Sequence, residues 1–506
     1  MDVIVVGGGP VGLMTAALLD AAGIQVEVYE RTSEPVRQSR GSTMHPRTLE
    51  VLAMLDFGGG RRVSDVLLAQ GKQVPRTHYA TLPDLLDYRE LDTPFPFVLM
   101  ISQWRTEQIL ADLLRARAVP VHYGTDVTEV VPAADEVRVC VGDTWHSAPY
   151  LVGADGAHSV VRKAAGIDFT GTAPDKVGFV ADVRLAEPVE QAVHHWNQDA
   201  GFASLVPLTQ TITRVFGVKA ADVGLTAEEV RRRQTVPLTL EELRKSLTAI
   251  CGRDYGVHSP SWMSKSSNTG RHAVTYRAGR VLLAGDAGHV HLPAGGQGLN
   301  VGLQDATNLA WKLAAEVHGW APARLITGEA GYNAERLPVA EQLVANTQAQ
   351  DVLMHAFSPG GAALRDLFSG FIAQGGEVAR YLAGVLSGLA VTYRRPDGAH
   401  ELVGTRAPDL ALTSDTLLRE VRPDRFLLVD FTPDASLAGL ASARVEVRTA
   451  PPPTGPRRTA WKDVRAALIR PDGYIAHAAS SADRLTEAIR AWTEPDHRTA
   501  SGMTVR

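Results

Sequence analysis

The order of apolar and polar positions divides the chain into stretches with different periods. Val3-Ile4-Val5-Val6 is a short unbroken apolar run, the pattern of a strand buried in a parallel sheet. A glycine turn and an apolar helical pattern follow, and Val26-Glu27-Val28-Tyr29-Glu30 reads as a second strand ending on an acid. Residues 1–165 as a whole predict alternating α and β elements. From 175 to 220 the period drops to two: Val177-Gly178-Phe179-Val180-Ala181-Asp182-Val183 and Thr213-Arg214-Val215-Phe216 predict antiparallel strands. After Thr239, Leu240, Leu243, Leu247 and Ile250 fall on one helical stripe. Arg280-Val281-Leu282-Leu283-Ala284 restores the buried-strand pattern before a glycine-rich loop and a long helix. Residues 330–395 predict helices, interrupted at Ser358-Pro359-Gly360-Gly361, and the Arg-, Pro- and Gly-rich stretch 395–408 predicts a boundary. In the tail, strands are predicted at 426–430, 445–448, 467–470 and 474–477, the last two joined through Pro471-Asp472-Gly473. Ser481 is the predicted cap of a helix carrying Leu485, Ile489 and Trp492 on one face.

Composition narrows the class. At 506 residues the chain exceeds one core and predicts two or three domains. A net charge of −5 leaves no basic footprint for nucleic acid. No apolar run has the length of a membrane span, and the first strand begins at Asp2 without a signal-peptide pattern, so a cytoplasmic protein is expected. Cys140 and Cys251 form no zinc motif, C-x-x-C pair or disulfide framework and are expected to be buried apolar residues. No Ser/His/Asp set or metal-ligand spacing stands out.

Three stretches carry chemistry. Gly7, Gly9 and Gly12 have G-x-G-x-x-G spacing between a strand and a helix, with Pro10 and Val11 inside the turn. Gly7 permits the tight turn, Gly9 admits a pyrophosphate close to the backbone, and Gly12 lets the helix pack on the sheet. The helix N-terminus favours the phosphate charge, and Glu30, followed by Arg31, stands where a carboxylate accepts from a ribose. In the second stretch, Leu151-Val152-Gly153-Ala154-Asp155-Gly156 runs into Ser159, a candidate helix start. The third is Gly285-Asp286-Ala287-Gly288-His289, then Pro293-Ala294-Gly295-Gly296-Gln297-Gly298-Leu299-Asn300 and a helix through Asp305, Asn308 and Trp311. Asp286 can accept from a polyol, and the glycines expose N–H groups at a helix start, suited to the negative N1–C2=O edge of a reduced flavin. A plain NAD-dependent dehydrogenase accounts for the first 31 residues and leaves 285–300 unexplained.

Together these residues resemble the FAD-dependent aromatic hydroxylases of the p-hydroxybenzoate hydroxylase type, in particular the bacterial aromatic-polyketide (anthracycline and angucycline) hydroxylases. The resemblance runs along nearly the whole chain. Residues 40–50 resemble the family's second FAD-contact segment, with Arg40 in the flavin-contacting position. Gln103, in Ser102-Gln103-Trp104-Arg105, matches the glutamine that reaches the ribityl region, and 153–162, with Asp155, matches a segment tied to both FAD and NADPH. The resemblance further implies that Asp286 binds ribityl oxygens and that Pro293 through Asn300 line the isoalloxazine. Leu292 and Gly288 depart from the family, which more often carries Pro or Ser and Ala there; this bears on substrate placement more than on FAD.

The implied architecture is an α/β Rossmann-like FAD-binding domain (1–172 and 273–395, the latter with a helical linker), an inserted antiparallel-sheet substrate domain (173–272) and a thioredoxin-like C-terminal domain (396–506). The implied activity is an NAD(P)H- and O2-dependent monooxygenation of a phenolic polycyclic polyketide through a C4a-hydroperoxyflavin. NADPH or NADH visits transiently, as no second dinucleotide motif is present. Other readings are Baeyer–Villiger or other oxidation of a polyketide or antibiotic, and a non-catalytic flavoprotein that sequesters an aromatic ligand. A flavin halogenase is disfavoured by the lack of a W-x-W motif. Candidate substrate contacts are Phe202, Leu205, Phe216, Leu292 and Pro293. His194-His195, His289, His291 and Arg214 are expected to be loop, structural or surface groups rather than catalysts. A monomer or homodimer is expected, with neither nucleic-acid nor membrane partners.

Overall fold

The computed structural model describes residues 1–495 apart from 35–40, 188, 191–192, 455–456, 458 and 482–483. Arg40 therefore lies outside the described residues. Strand β1 (Val3–Val6) is buried along its whole length, as four consecutive apolar residues require. Helix α1 (Pro10–Ala21) starts at once after the glycine turn, with Gly9 at its N-cap and Pro10 at the first helical position, where its missing N–H costs nothing. β2 (Val26–Glu30) ends on the acid. Helices α2 (Pro46–Ala53) and α3 (Gln103–Ala116) follow; the Ser102 hydroxyl caps α3 by accepting from the Arg105 N–H. β3 (Val121–Tyr123) and β4 (Tyr150–Gly153) flank a three-stranded antiparallel sheet spanning 127–148.

The chain then builds a second sheet from β5 (Lys176–Leu185), β6 (His194–Gln198), β7 (Gly201–Pro207), β8 (Thr213–Val223) and β9 (Val257–Ser267), antiparallel throughout in the order β6-β7-β8-β5-β9. Period two sorts its side chains onto two faces. One face carries Phe179, Ala181, Val183, Ala203, Leu205 and Val215, buried under Leu243, Leu247 and Ile250 of helix α4 (Leu240–Cys251). The opposite face carries Phe202 and Phe216. Leu205 thus points away from the aromatic face and is core, not a substrate contact: it is an odd number of residues from Phe202 on one strand. Thr239 caps α4, its hydroxyl accepting from the Glu242 N–H. His194 and His195 lie on strand β6, not in a loop.

β10 (Arg277–Ala278) and β11 (Val281–Leu283) return to the first sheet, which runs β3-β2-β1-β4-β11-β10 and is parallel except at the β10–β11 edge. Helices α5 (Gln297–Val317), α6 (Tyr332–Met354), α7 (Pro359–Ala373) and α8 (Gly376–Ser387) follow. The break between α6 and α7 falls at 355–358, and Pro359, Gly360 and Gly361 form the first turn of α7 under a Ser358 cap. In the tail, β12 (Phe426–Asp430), β13 (Val445–Thr449), β14 (Ala466–Ile469) and β15 (Ile475–Ala479) pair in the order β13-β12-β14-β15; only β12–β13 is parallel. The last helix, α9 (Leu485–Thr493), has Arg484, not Ser481, at its N-cap. Cys140 is buried, while Cys251 is only half-buried at the end of α4. Among the described residues no helix is long and apolar enough to cross a membrane, and no group of three His, Cys, Asp or Glu could hold a metal.

Candidate active site

The site is assembled where the first sheet's strands end. The Glu30 carboxylate clasps the glycine turn: Oε2 accepts from the Gly8 N–H at 2.6 Å, and Oε1 accepts from the N–H and hydroxyl of Thr32, each at 2.8 Å. Among the described residues no side chain caps α1 and no acid occupies its first turn. A Cβ built on Gly9 meets nothing within 4 Å, so the first-turn N–H groups face open space. Arg31 is exposed just past the end of β2. Beyond β4, Asp155 Oδ2 accepts from the N–H groups of Val160 and Val161 at 2.7 and 3.2 Å, while its buried Oδ1 has no partner among the described residues. Ser159 caps the short helix there, accepting from the Arg162 N–H at 2.9 Å.

Asp286 stands exposed in the 3-10 turn Gly285–Ala287 that follows β11. Gly285 packs against Val11, which brings this turn to the start of α1. Two buried charges that stand in the sequence motifs without an evident role, Arg162 and Asp305, fix the turn. Arg162 donates to the carbonyls of Ala287 and Ala157 at 2.8 and 3.1 Å, tying the two acidic loops together. Asp305 on α5 accepts from the Gly285 N–H at 3.2 Å, from His289 Nε2 at 3.0 Å and from Arg336 Nε at 2.7 Å. Burial acts to raise the Asp305 pKa, but Arg336 and His289 outweigh it and hold the carboxyl below its ordinary value.

A third wall comes from residues 41–45, α3 and the start of α5. Gly41 and Gln103 hold each other: the Gly41 N–H donates to Gln103 Oε1 at 3.2 Å and the Gln103 N–H donates to the Gly41 carbonyl at 2.9 Å. Gln103 Nε2 donates to Glu107 at 2.9 Å. Burial lifts the Glu107 carboxyl above its ordinary value, and the nearby Glu30 charge adds to the lift, so Gln103 and Glu30 share one patch. Leu299 lies against Gly41. Asn300 spends its side chain on backbone, accepting from the His45 N–H at 2.8 Å and donating to the carbonyls of Thr43 and Gly296 at 3.0 and 2.8 Å. Its side chain is spent on holding the wall. Gly296 is left-handed (φ 65°), and a Cβ there would lie 2.0 Å from Thr43 Oγ1, so only glycine closes this turn. With Gly296 as N-cap and no side-chain cap among the described residues, α5 presents the N–H groups of Gln297, Gly298 and Leu299 as α1 presents its own. The Gly298 position abuts His291, and a Cβ on Gly288 would come within 2.9 Å of the buried Tyr276 ring, which accounts for glycine there.

The aromatic face of the second sheet closes the site. Phe202 and Phe216 lie 5.9 Å apart, and Leu292, Met100, Tyr79 and Tyr88 pack in the same cluster. Pro293 is exposed at the N-cap of the 3-10 turn leading to Gly296. Arg214 is no ordinary surface arginine: its Nε and Nη2 form two 2.8 Å bonds to the Asp182 carboxylate. His195 stacks on Phe202 at 6.2 Å and meets His78 edge-on at 4.9 Å, whereas His194 faces the other way, stacked on Trp196.

His45, 1% exposed, joins this face to the turn above it. Nε2 lies 2.7 Å from the Gly295 carbonyl, to which it donates, and Nδ1 accepts from the Tyr88 hydroxyl at 3.1 Å; those partners define a neutral tautomer. Burial holds its pKa down to about 4. The folded chain therefore resists a proton that the unfolded chain accepts near 6.5, so His45 adds stability that is complete above pH 6.5 and drains away between 6.5 and about 4. A displacement of that size corresponds to roughly 3 kcal/mol. Burial also lowers His78 and His291 to about 4 and His195 to about 3, which steepens the same window. The melting temperature is expected to fall as the pH drops from 7 to 4.5, less steeply in His45→Gln; an identical slope in that variant refutes the assignment.

Residues 1–347 match the FAD binding domain family, and 400–495 match the aromatic-ring hydroxylase C-terminal family. The chain is 38% identical to the 12-dehydrotetracycline 5-monooxygenase/anhydrotetracycline 6-monooxygenase of Streptomyces rimosus, covering 98% of this chain and 99% of the relative. It is 37% identical to the rifampicin monooxygenase of Streptomyces venezuelae, over 97% of this chain and 98% of the relative. Its structure superposes on CabE, an aromatic hydroxylase from angucycline biosynthesis, with a TM-score of 0.85 and 35% identity, covering 98% and 99% of the two chains.

Proposed function

This chain belongs to the FAD-dependent aromatic-ring hydroxylases and is a flavin-dependent monooxygenase, and from that premise we propose that it hydroxylates a phenolic polycyclic polyketide at the expense of NAD(P)H and O2. The observation that carries the reading is the meeting, in one place, of two uncapped glycine-led helix starts, an exposed aspartate and an aromatic sheet face. The set of groups suits FAD: open space over Gly9 for a pyrophosphate, the Glu30 carboxylate for a ribose, and Asp155 Oδ1, buried and without a partner among the described residues, as an acceptor.

In this reading Gly7, Gly9, Pro10, Val11 and Gly12 seat the diphosphate, Glu30 and Arg31 flank the adenosine, and Gln103 and Asp286 hold the ribityl chain. Pro293, Gly296, Gly298 and Leu299 border the isoalloxazine, and Asn300 holds that border in shape. When bound and reduced, FAD supplies an electrophilic oxygen atom drawn from O2. The work of the protein is positioning and exclusion of water. Phe216 and Leu292, with the fully buried Phe202 behind them, hold a flat ring system against the flavin edge, and the N–H groups that open α5 favour negative charge there. The domain division at 172, 272 and 395 accords with the return of β11 to the first sheet, and the β13-β12-β14-β15 order with a thioredoxin-like tail.

The similarity to rifampicin monooxygenase favours a second reading, oxidative modification of a finished antibiotic. One assay separates the two. Purified protein with FAD and NADPH is incubated with a panel of polycyclic phenols and of mature antibiotics, and products are read by mass spectrometry. A phenol heavier by one oxygen, with the ring system intact, is the expected result. Turnover confined to the antibiotics supports the second reading, and NADPH consumption yielding only peroxide across the panel overturns both.

A further inference from the structure

We propose that His355 is the base that takes the phenolic proton of the substrate, with Asp351 and Lys176 as positioning residues behind it; this rests on the hydroxylation reading above. Asp351 sits one turn before His355, near the end of α6. His355 Nδ1 lies 2.7 Å from Asp351 Oδ1. The other carboxylate oxygen accepts from Lys176 Nζ on β5 at 2.6 Å and from Asn268 Nδ2 at 2.9 Å. All three charged or imidazole side chains are at most 8% exposed. Burial works to raise the Asp351 pKa, yet His355 and Lys176 prevail and bring it down to about 2. An ionised carboxylate only accepts, so Nδ1 points its hydrogen at Asp351 and Nε2 is the ring nitrogen left to meet a substrate.

The dyad lies against the predicted substrate face. The His355 ring meets Phe202 edge-on at 5.8 Å and Phe357 at 6.1 Å. The same helix touches the start of α5: Asn346 Nδ2 and Gln350 Nε2 both donate to Gln297 Oε1, at 2.9 and 3.4 Å. Five residues separate Gln350 from His355, roughly 7.5 Å along the helix axis. One helix thus spans from the glycine-led border to the aromatic face and ends there in a histidine. The other groups facing that end are the neutral imidazoles of His195 and His78 and the guanidinium of Arg365, which donates to the carbonyls of Leu353, Ala80 and Thr81. Among the described histidines of this face, His355 alone has a carboxylate on a ring nitrogen.

The step breaks the phenol O–H bond. The electron pair stays on oxygen as a phenolate, and the proton joins Nε2. Asp351 balances the imidazolium charge, and Lys176 keeps Asp351 from taking the proton. The phenolate pushes electron density onto the ring carbons that receive an electrophilic oxygen. The oxygenated ring carbon then loses its hydrogen as a proton to water, the C–H electron pair restoring the aromatic ring, and the proton on Nε2 returns to the product phenolate. General-base help of this kind contributes about 100- to 10,000-fold.

The test uses the FAD-loaded full chain and two readouts. In His355→Gln, kcat at pH 7 is expected to fall at least 100-fold, with KM and FAD content within threefold, and to recover as pH approaches the phenol's own pKa of ~10. Asp351→Asn should show a smaller loss with the same shape. The second readout needs no turnover: a bound hydroxyanthraquinone, whose absorption moves to the red on ionisation, should ionise at lower pH in the parent than in either variant. An unchanged pH profile in His355→Gln, or an unchanged dye titration, overturns the proposal. If His355→Gln fails to fold, Asp351→Asn decides on the dye alone. A His355-dependent dye shift without any oxygenated product keeps the base and sinks the hydroxylation reading; hydroxylation independent of His355 does the reverse.

Discussion

Gly12→Ala is expected to lower the stability of the protein by about 3 kcal/mol or more and to leave it colourless, whereas Gly9→Ala, three residues away, is expected to fold normally and bind FAD poorly. The two glycines face different neighbours. A Cβ on Gly12 would sit 1.9 Å from the Gly7 carbonyl oxygen and 3.3 Å from Val5. Neither can retreat: Val5 is fully buried in β1, and Gly7 is pressed against the Ala154 carbonyl on its far side. The methyl must lever α1 away from the sheet, and α1 also packs against α5 and α3. Gly9, by contrast, has extended φ/ψ (−71°, 178°) that alanine adopts freely, and its Cβ direction is empty. Its methyl would meet only what binds there. Thermal unfolding of the apoprotein should place Gly9→Ala within about 0.5 kcal/mol of the parent. Titration with FAD, followed by fluorescence quenching, should show at least a tenfold weaker complex. A Gly9→Ala protein that binds FAD as the parent does would remove the phosphates from this turn.

The contrast between those glycines also marks what could be read from the sequence. Tight local geometry is legible because it involves neighbours: the strand–turn–helix of residues 3–21 and the period-two strands of the second sheet follow from steric rules a few residues long. Which face of a period-two strand meets the site is not local. Phe202 and Leu205 are equally apolar, and only the docking of α4 assigns Leu205 to the core. The charges that brace the site are less legible still. Asp305 meets Arg336 across 31 residues, and Lys176 reaches Asp351 across 175, with nothing at either end to announce the pairing. Asp351 and His355 do carry a signal, a D-x-x-x-H spacing on one helical face, yet that pattern gains meaning only beside Phe202. Ser481 illustrates the opposite failure: a good capping residue stands near a helix that starts four residues later.

Arg470→Met should be the most destabilising single substitution outside the glycine turn. Arg470, in the turn between β14 and β15, is 2% exposed and donates to both Glu335 oxygens on α6 at 2.6 and 2.7 Å and to Asp472 at 2.5 and 3.0 Å. Burial alone would lower its pKa, but Asp472 and Glu335 more than reverse this and hold it well above the ordinary value. Lys312 and Asn308 of α5 complete the cluster, each within 2.7 Å of Glu335 Oε2, and Arg47 of α2 donates to the Asp472 carbonyl at 2.7 Å. Arg470 and Lys312 carry Glu335 down to about 2 against the upward pull of burial. Removing the guanidinium strands two buried carboxylates, leaving Glu335 with Lys312, itself lowered to about 8 by burial, and Asp472 with Arg47 at its backbone carbonyl. Breaking a buried network in this way costs about 3–5 kcal/mol, and the melting temperature of a chain this long should drop by roughly 3–5 °C. The loss reaches beyond the tail, because the cluster joins β14–β15 to α5 and α6, whose other ends meet at Gln297 beside the glycine-led border. FAD should therefore dissociate faster from Arg470→Met in proportion to the lost stability. The quadruple variant Arg470→Met, Glu335→Gln, Asp472→Asn, Lys312→Met removes both stranded carboxylates and the buried cation they would leave behind, and should regain most of the loss. If it melts no higher than Arg470→Met, uncompensated charge is not the cause and packing of the arginine stem is.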